Sequence, residues 1–118
     1  MLTLSPAVRI YLATGATDLR RSIDGLSALV RERFTLDPLS GHLFVFCGRR
    51  RHLVKILYWD GSGLWVLCKR LEKGTFSWPA RSDPQQAKLK LAPEALAMLT
   101  DGIDLRGARL RPWYERGE

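Results

Sequence analysis

The sequence contains only two cysteines, no internal repeat and no long apolar run, and each shortage removes a class of protein. Cys47 and Cys68 are too few for a disulfide scaffold and lack the paired spacing of a zinc site, so both are expected to be buried thiols. No stretch approaches the roughly 18 apolar residues that a membrane-spanning helix needs. The opening MLTLSPAVRIYLA has neither the basic leader nor the unbroken apolar segment of a secretory signal, so a cytoplasmic location and no membrane partner are expected. No GxGxxG occurs, and the DGSG at 60–63 lacks the lysine and the helix of a phosphate-binding loop. Paired zinc-finger ligands are missing as well, and the two predicted helices are too far apart in sequence for a helix-turn-helix.

The carboxylates are equally poor material for catalysis. Metal-dependent strand transfer needs several of them converging on divalent cations. Here Asp18 suits a helix start, Asp60 a hairpin turn, and Asp101 and Asp104 a helix end. Ser22, Ser62 and the cysteines have no evident base, and His42 and His52 flank strands, where a turn role or a phosphate contact fits better than catalysis. No catalytic residue, cofactor or metal ligand is assigned, and the chain is expected not to be an enzyme.

What the sequence has in abundance is positive charge. Its 118 residues are 46% hydrophobic, enough for one compact core, and nineteen Lys and Arg face twelve Asp and Glu for a net charge of +7. The interval 49–73 holds seven of the cations against Asp60 and Glu72, a net of 7 − 2 = +5. Such an excess favours polyanions, nucleic acid first among them.

Periodicity orders the chain as follows. Residues 8–14 (VRIYLAT) predict a strand closed by Gly15. Leu19, Ile23, Leu26, Val30 and Phe34 recur at helical spacing, with Thr17 as cap and Asp18 at the positive end; Arg21, Gly25, Ala28 and Glu32 fall on the opposite face. Gly25 inside that helix costs about 1 kcal/mol relative to Ala, which the helix either tolerates or offsets through a close approach of some other group. After the break at 37–41, strands are predicted over 42–47, 52–59 and 64–70, the last two joined by an Asp-Gly turn. A short strand over 75–78, an edge strand over 88–91 and a helix over 93–100 follow, with Pro93 at its first position and Gly102 beyond its end. Residues 1–100 therefore read as a single α+β domain: a mainly antiparallel sheet of four or five strands with one long helix packed on it and a short C-terminal helix. Residues 101–118, with four arginines, read as a basic tail.

If the three central strands form a meander, the end of the third returns beside the start of the second. Lys69 and Arg70 then join Arg49, Arg50 and Arg51 at one end of the sheet, with Lys73 just beyond; these six are the candidate DNA-binding residues. A sheet end contacts phosphates more readily than base edges. Trp59, Trp65 and Trp78 read first as core or cross-strand packing, with stacking on exposed bases as the alternative, and Trp113 in the tail is left unassigned.

The interval KILYWDGSGLWVLCKRLEKGTFSWP, with ATGATDLRRSIDGLSALV and DPLSGHLFVFCGRRR before it, resembles the TnpB accessory proteins, the second-open-reading-frame products of insertion-sequence family sixty-six. The resemblance runs from about Pro6 to Leu99, with the WDG, KRLE and WP elements in the family's order and spacing. It implies a non-catalytic role in transposition beside a separate, larger transposase and another accessory protein of the same element, and it carries over no catalytic residue. DNA binding, or assembly of the transposase–DNA complex, is the leading expectation. A protein adaptor without direct DNA contact, using the helix face near Arg21 and Gly25 or an exposed sheet, is the alternative. Ala92 departs from the Ser or Thr that members often carry before the Pro-Glu helix start, which implies a weaker cap there, and Cys47 and Cys68 look like variable positions.

Overall fold

The computed structural model describes residues 7–79, 87–102 and 114–116. The apolar IYLA segment forms β1 (Ile10–Ala13), and the equally apolar LFVFC forms β2 (Leu43–Cys47). Every residue of both strands is buried, as in sheets covered on both faces, where strands show no polar alternation. β1 and β2 pair in parallel, Ile10 opposite Leu43 and Leu12 opposite Val45. The chain between them crosses over through α1 (Ile23–Arg33).

That helix starts later than its spacing predicts. Thr17 does not cap it: its N–H donates to Cys47 O at 2.8 Å, and Asp18 pairs with Arg20, so residues 17–22 are drawn onto the end of the sheet instead of winding up. Ser22 takes the cap position in extended conformation, with no side-chain capping bond. Leu19 is buried nonetheless, from a loop, whereas Ile23 is left on the exposed side. Over Gly25 lies the stem of Arg21: an added Cβ would stand 3.0 Å from Arg21 Cβ. The close approach that excuses this glycine therefore comes from within the chain.

β2, β3 (Leu53–Trp59) and β4 (Leu64–Arg70) form the expected meander, with Cys47 opposite Val54 and Lys55 opposite Cys68. The β3–β4 turn is fastened by Asp60. Its Oδ1 accepts from the N–H groups of Ser62 and Gly63, both at 2.9 Å, and Gly61 supplies the positive φ of 103°. Two strands apart, the cysteines are both free, but Cys68 is exposed on the outermost strand, so only Cys47 is the buried thiol expected.

β5 (Lys88–Leu91) runs antiparallel beside β1, inside the sheet and not at the edge expected from sequence, and leads into α2 (Pro93–Thr100), whose Ala92 cap makes no side-chain bond. β6 (Tyr114–Arg116) pairs with β5, completing a six-stranded sheet in the order β4-β3-β2-β1-β5-β6. This last strand falls in the segment taken from sequence as a tail; residues 103–113, with Asp104 and Trp113, lie outside the described residues. Residues 75–78 form no strand. They tie onto the end of the sheet, Phe76 N–H donating to Arg51 O at 2.6 Å and Trp78 Nε1 to Ala13 O at 2.8 Å.

Each sheet face has its own core. On one, Leu26, Leu29 and Val30 of α1, with Phe34 just past its end, cover Tyr11, Phe44, Phe46 and Leu57. On the other, Ala95 and Leu99 of α2, together with Phe76 and Trp78, cover Ile10, Leu12, Val45 and Val54. The architecture is α+β with helices on opposite faces of a mainly antiparallel sheet, as expected in class and with one more strand at the edge.

Burial pushes the Cys47 thiol up to about 11, against smaller opposing effects of the Arg51 charge and the Gly48 N–H. Because the thiolate is the reactive species, iodoacetamide at pH 8 is expected to alkylate Cys68 alone in the native protein and both cysteines after denaturation, read by mass spectrometry. Native labelling of both at equal rates would contradict this packing.

Candidate functional site

Parallel strands leave a sheet at the same end. The loop that follows β1 and the turn that follows β2 therefore emerge side by side, and β4 finishes next to them, with Leu53 opposite Arg70. Three basic segments meet there. The first is the turn Gly48-Arg49-Arg50-Arg51. Gly48 N–H donates to Leu53 O and Arg51 N–H to Gly48 O, each at 3.0 Å, and Arg51 adopts φ of 60°. That is the left-handed conformation glycine ordinarily fills, and it costs an L-residue about 1–2 kcal/mol. Arginine persists in it despite the backbone cost.

The second segment is the end of β4. Lys69 reaches Asp101, beyond α2, at 3.7 Å, and Arg70 is bound in a fork by Glu72 at 3.0 and 3.1 Å. Arg70 in turn holds the Glu72 carboxyl below the usual carboxylate range. Lys73 follows, exposed. The third segment is the loop after β1. Arg20 grips Asp18 through Nε and Nη2 at 3.0 and 2.9 Å, and chiefly through those bonds the Asp18 carboxyl falls to about 2. A cleft of about 480 Å³ separates this loop from the arginine turn, lined by Thr17, Asp18, Arg20, Arg49, Arg50 and His52 among others.

The loop is fastened by a single cation. Lys55, projecting from β3 on the α1 side, donates from Nζ to Leu19 O at 2.7 Å and to Arg21 O at 3.4 Å. Leu19 also packs on the turn itself, its Cδ1 lying 3.4 Å from where a Cβ on Gly48 would stand. On the α2 side, Phe76, buried in that core, donates its N–H to Arg51 O at 2.6 Å. The arginine turn is thus pinned on both sides.

The chain matches the family described as IS66 Orf2 like protein over residues 8–110. It belongs to that family. Two proteins of Sinorhizobium fredii are similar to it, each described as an uncharacterized protein: y4hO, 40% identical over 90% of each chain, and y4jC, 37% identical over 95% of this chain and 93% of its own. No solved structure matches. Membership in the IS66 Orf2-like family gives the chain an accessory role in transposition of an insertion sequence.

In this IS66 Orf2-like chain the six residues singled out from sequence lie at one end of the sheet, but they are not equivalent. Lys69 and Arg70 carry acidic partners, whereas Arg49, Arg50, Arg51 and Lys73 make no ion pair among the described residues. Arg20 joins the cluster and was missed, because its helix was expected to begin at Thr17. The strand–helix–strand order of 8–47 is the signal that implies a parallel pair and so this meeting of loops. His42 lies at the other end of the sheet, where its Nδ1 accepts the Arg9 N–H at 2.9 Å, and burial, then the Arg9 charge, lower its pKa. Trp78 is core, as expected, whereas Trp65 is 48% exposed, its Nε1 donating to Asp60 Oδ2 at 2.7 Å. That bond is the largest of several that hold the Asp60 carboxyl far below its ordinary value. Among the described residues no helix is long and apolar enough to cross a membrane, and no three His, Cys, Asp or Glu side chains could hold a metal ion.

Two substitutions test this construction. Lys55→Met keeps the apolar stem and removes the ammonium, so it should lower stability in urea by about 1.5–3 kcal/mol, the range for a hydrogen bond to a charged group, and speed amide exchange in residues 17–22. Arg51→Gly relieves the left-handed backbone while adding unfolded-state freedom, for a net gain of about 0.5–1 kcal/mol in the same measurement. A loss of stability on Arg51→Gly would show that the side chain, not the backbone, governs the turn.

Proposed function

We propose that this accessory protein binds DNA through the cationic end of its sheet, holding the duplex by its phosphates while a separate transposase of the element performs the chemistry. The observation that carries this reading is the turn at 48–51, which presents three successive arginines from a doubly pinned backbone with no acidic partner among the described residues. A sheet end without a projecting helix favours contact with the sugar–phosphate backbone over base reading. Arg49, Arg50 and Arg51 are the primary contacts and Lys73 a further one; Lys69 and Arg70 contribute after exchanging their carboxylates, which exposed ion pairs do readily. The chain's part is positional, with no catalytic, metal or cofactor residue of its own, and it acts in the cytoplasm alongside the transposase and the other accessory protein.

An adaptor role is the second reading, and the edge of the sheet favours it. β4 is the outermost strand next to β3, none of its residues is buried, and Trp65 is exposed on it, which offers a surface to a protein partner.

Phosphate neutralisation releases counterions, so the logarithm of affinity should fall linearly with the logarithm of salt concentration at a slope of about −0.9 per contact. For purified protein titrated by fluorescence anisotropy with the ends of its element and with unrelated DNA, replacing Arg49, Arg50 and Arg51 together by Ala should shallow that slope by about 2–3. Absence of binding at low salt, with and without the transposase, would remove the DNA reading and leave the adaptor.

A further inference from the structure

Of the six cations recognised from sequence, Arg49 and Arg50 border a concavity at that end of the sheet, and they share it with Arg20. The cleft of about 480 Å³ between the loop after β1 and the arginine turn has room for a phosphate group, and Arg20, Arg49 and Arg50 line it against the lone carboxylate of Asp18. Its walls are fixed: Thr17 N–H holds Cys47 O at 2.8 Å, and Lys55 Nζ holds Leu19 O at 2.7 Å. A preorganised concavity with a net charge of 3 − 1 = +2 among its lining residues, His52 taken as neutral, differs from a merely solvated row of arginines.

The geometry points to this cleft as the seat of one phosphodiester of the bound DNA, with Asp18 as an internal competitor that occupies Arg20 until the phosphate replaces it. The inference rests on the DNA reading for the source of its phosphate. Arg20 meets Asp18 in a two-pronged fork, Nε to Oδ1 at 3.0 Å and Nη2 to Oδ2 at 2.9 Å, and two phosphate oxygens present the same spacing to a guanidinium as a carboxylate does. The Arg20 side chain is 91% exposed, so it can swing from one acceptor to the other without repacking. Thr17 also lines the cleft, with its Oγ1 turned away from solvent.

The cleft makes a prediction that a plain electrostatic surface does not. Arg20→Ala should shallow the salt slope by about 0.9, the share of one phosphate. Asp18→Asn keeps an oxygen for the Arg20 N–H bond now made by Oδ1 at 3.1 Å but releases the guanidinium, so it should tighten DNA binding severalfold and steepen the slope. A structural role for the Asp18–Arg20 pair would instead make both variants weaker binders. Amide chemical shifts, followed by NMR on the full chain with a short DNA duplex and separately with pyrophosphate, locate the ligand. Shifts centred on residues 17–20 and 48–52 with both ligands, and opposite effects of the two variants, are the expected result. Duplex binding that leaves those amides and both variants unchanged overturns the cleft while preserving the DNA reading. Shifts there with pyrophosphate but no duplex binding keep a phosphate site and overturn both its DNA source and the DNA reading. Silence of those amides towards both ligands overturns the cleft outright.

Discussion

Everything at the cationic end of this protein depends on the parallel pairing of β1 and β2. Two neighbouring strands that run the same way cannot be joined by a hairpin, so the chain must leave the sheet, cover one face and return. The crossover provides α1, and it also places the exit of β1 beside the exit of β2. Had the two strands been antiparallel, the loop carrying Arg20 would lie at the opposite end from Arg49–Arg51. The pairing is stabilised by the burial of both strands on both faces, with Tyr11 stacked on Phe44 and Phe34 stacked on Phe46 across the α1 side. Aromatic contacts of this kind contribute about 0.5–1.5 kcal/mol each beyond the area they bury.

Several departures from local preference lie at that same end. Arg51 holds a left-handed backbone, Thr17 keeps a buried hydroxyl without a partner among the described residues, and a lysine on β3 spends its ammonium on loop carbonyls. The opposite end holds another, Thr35, with a φ of 53° just past the end of α1. There the Asp60 turn satisfies its own N–H groups and anchors the Trp65 indole, and His42 accepts the Arg9 N–H.

Much of this was legible from residue order. The meander was readable because an Asp-Gly turn and strongly β-forming strands leave few other pairings, and the meander was enough to gather Arg49–Arg51 with Lys69 and Arg70. The second helix was equally plain from Pro93 and Gly102. Other features were not. The start of α1 was obscured because Leu19 sits at helical spacing from Ile23 while its burial comes from packing over Gly48, a tertiary contact. Residues 75–78 have the composition of a strand, yet their hydrogen bonds go to a turn and to the end of β1, so composition alone could not place them. Arg20 and its cleft required the parallel pair, and spacing within a helix or strand carries no information on which ends of a sheet coincide.

The outermost strand gives the arginine and lysine cluster a second consequence. Among the described residues β4 is hydrogen-bonded on one side only, runs for seven residues and carries an exposed tryptophan, the features of an edge that invites another chain to add on. Lys69 and Arg70 close that edge at one end, within the field of the arginine turn. Like charges on approaching copies repel before their edges can align. The cations thus act as gatekeepers of colloidal behaviour, and any evolutionary drift that stripped them away would have to blunt the edge by other means, with a proline, a bulge or a covering segment.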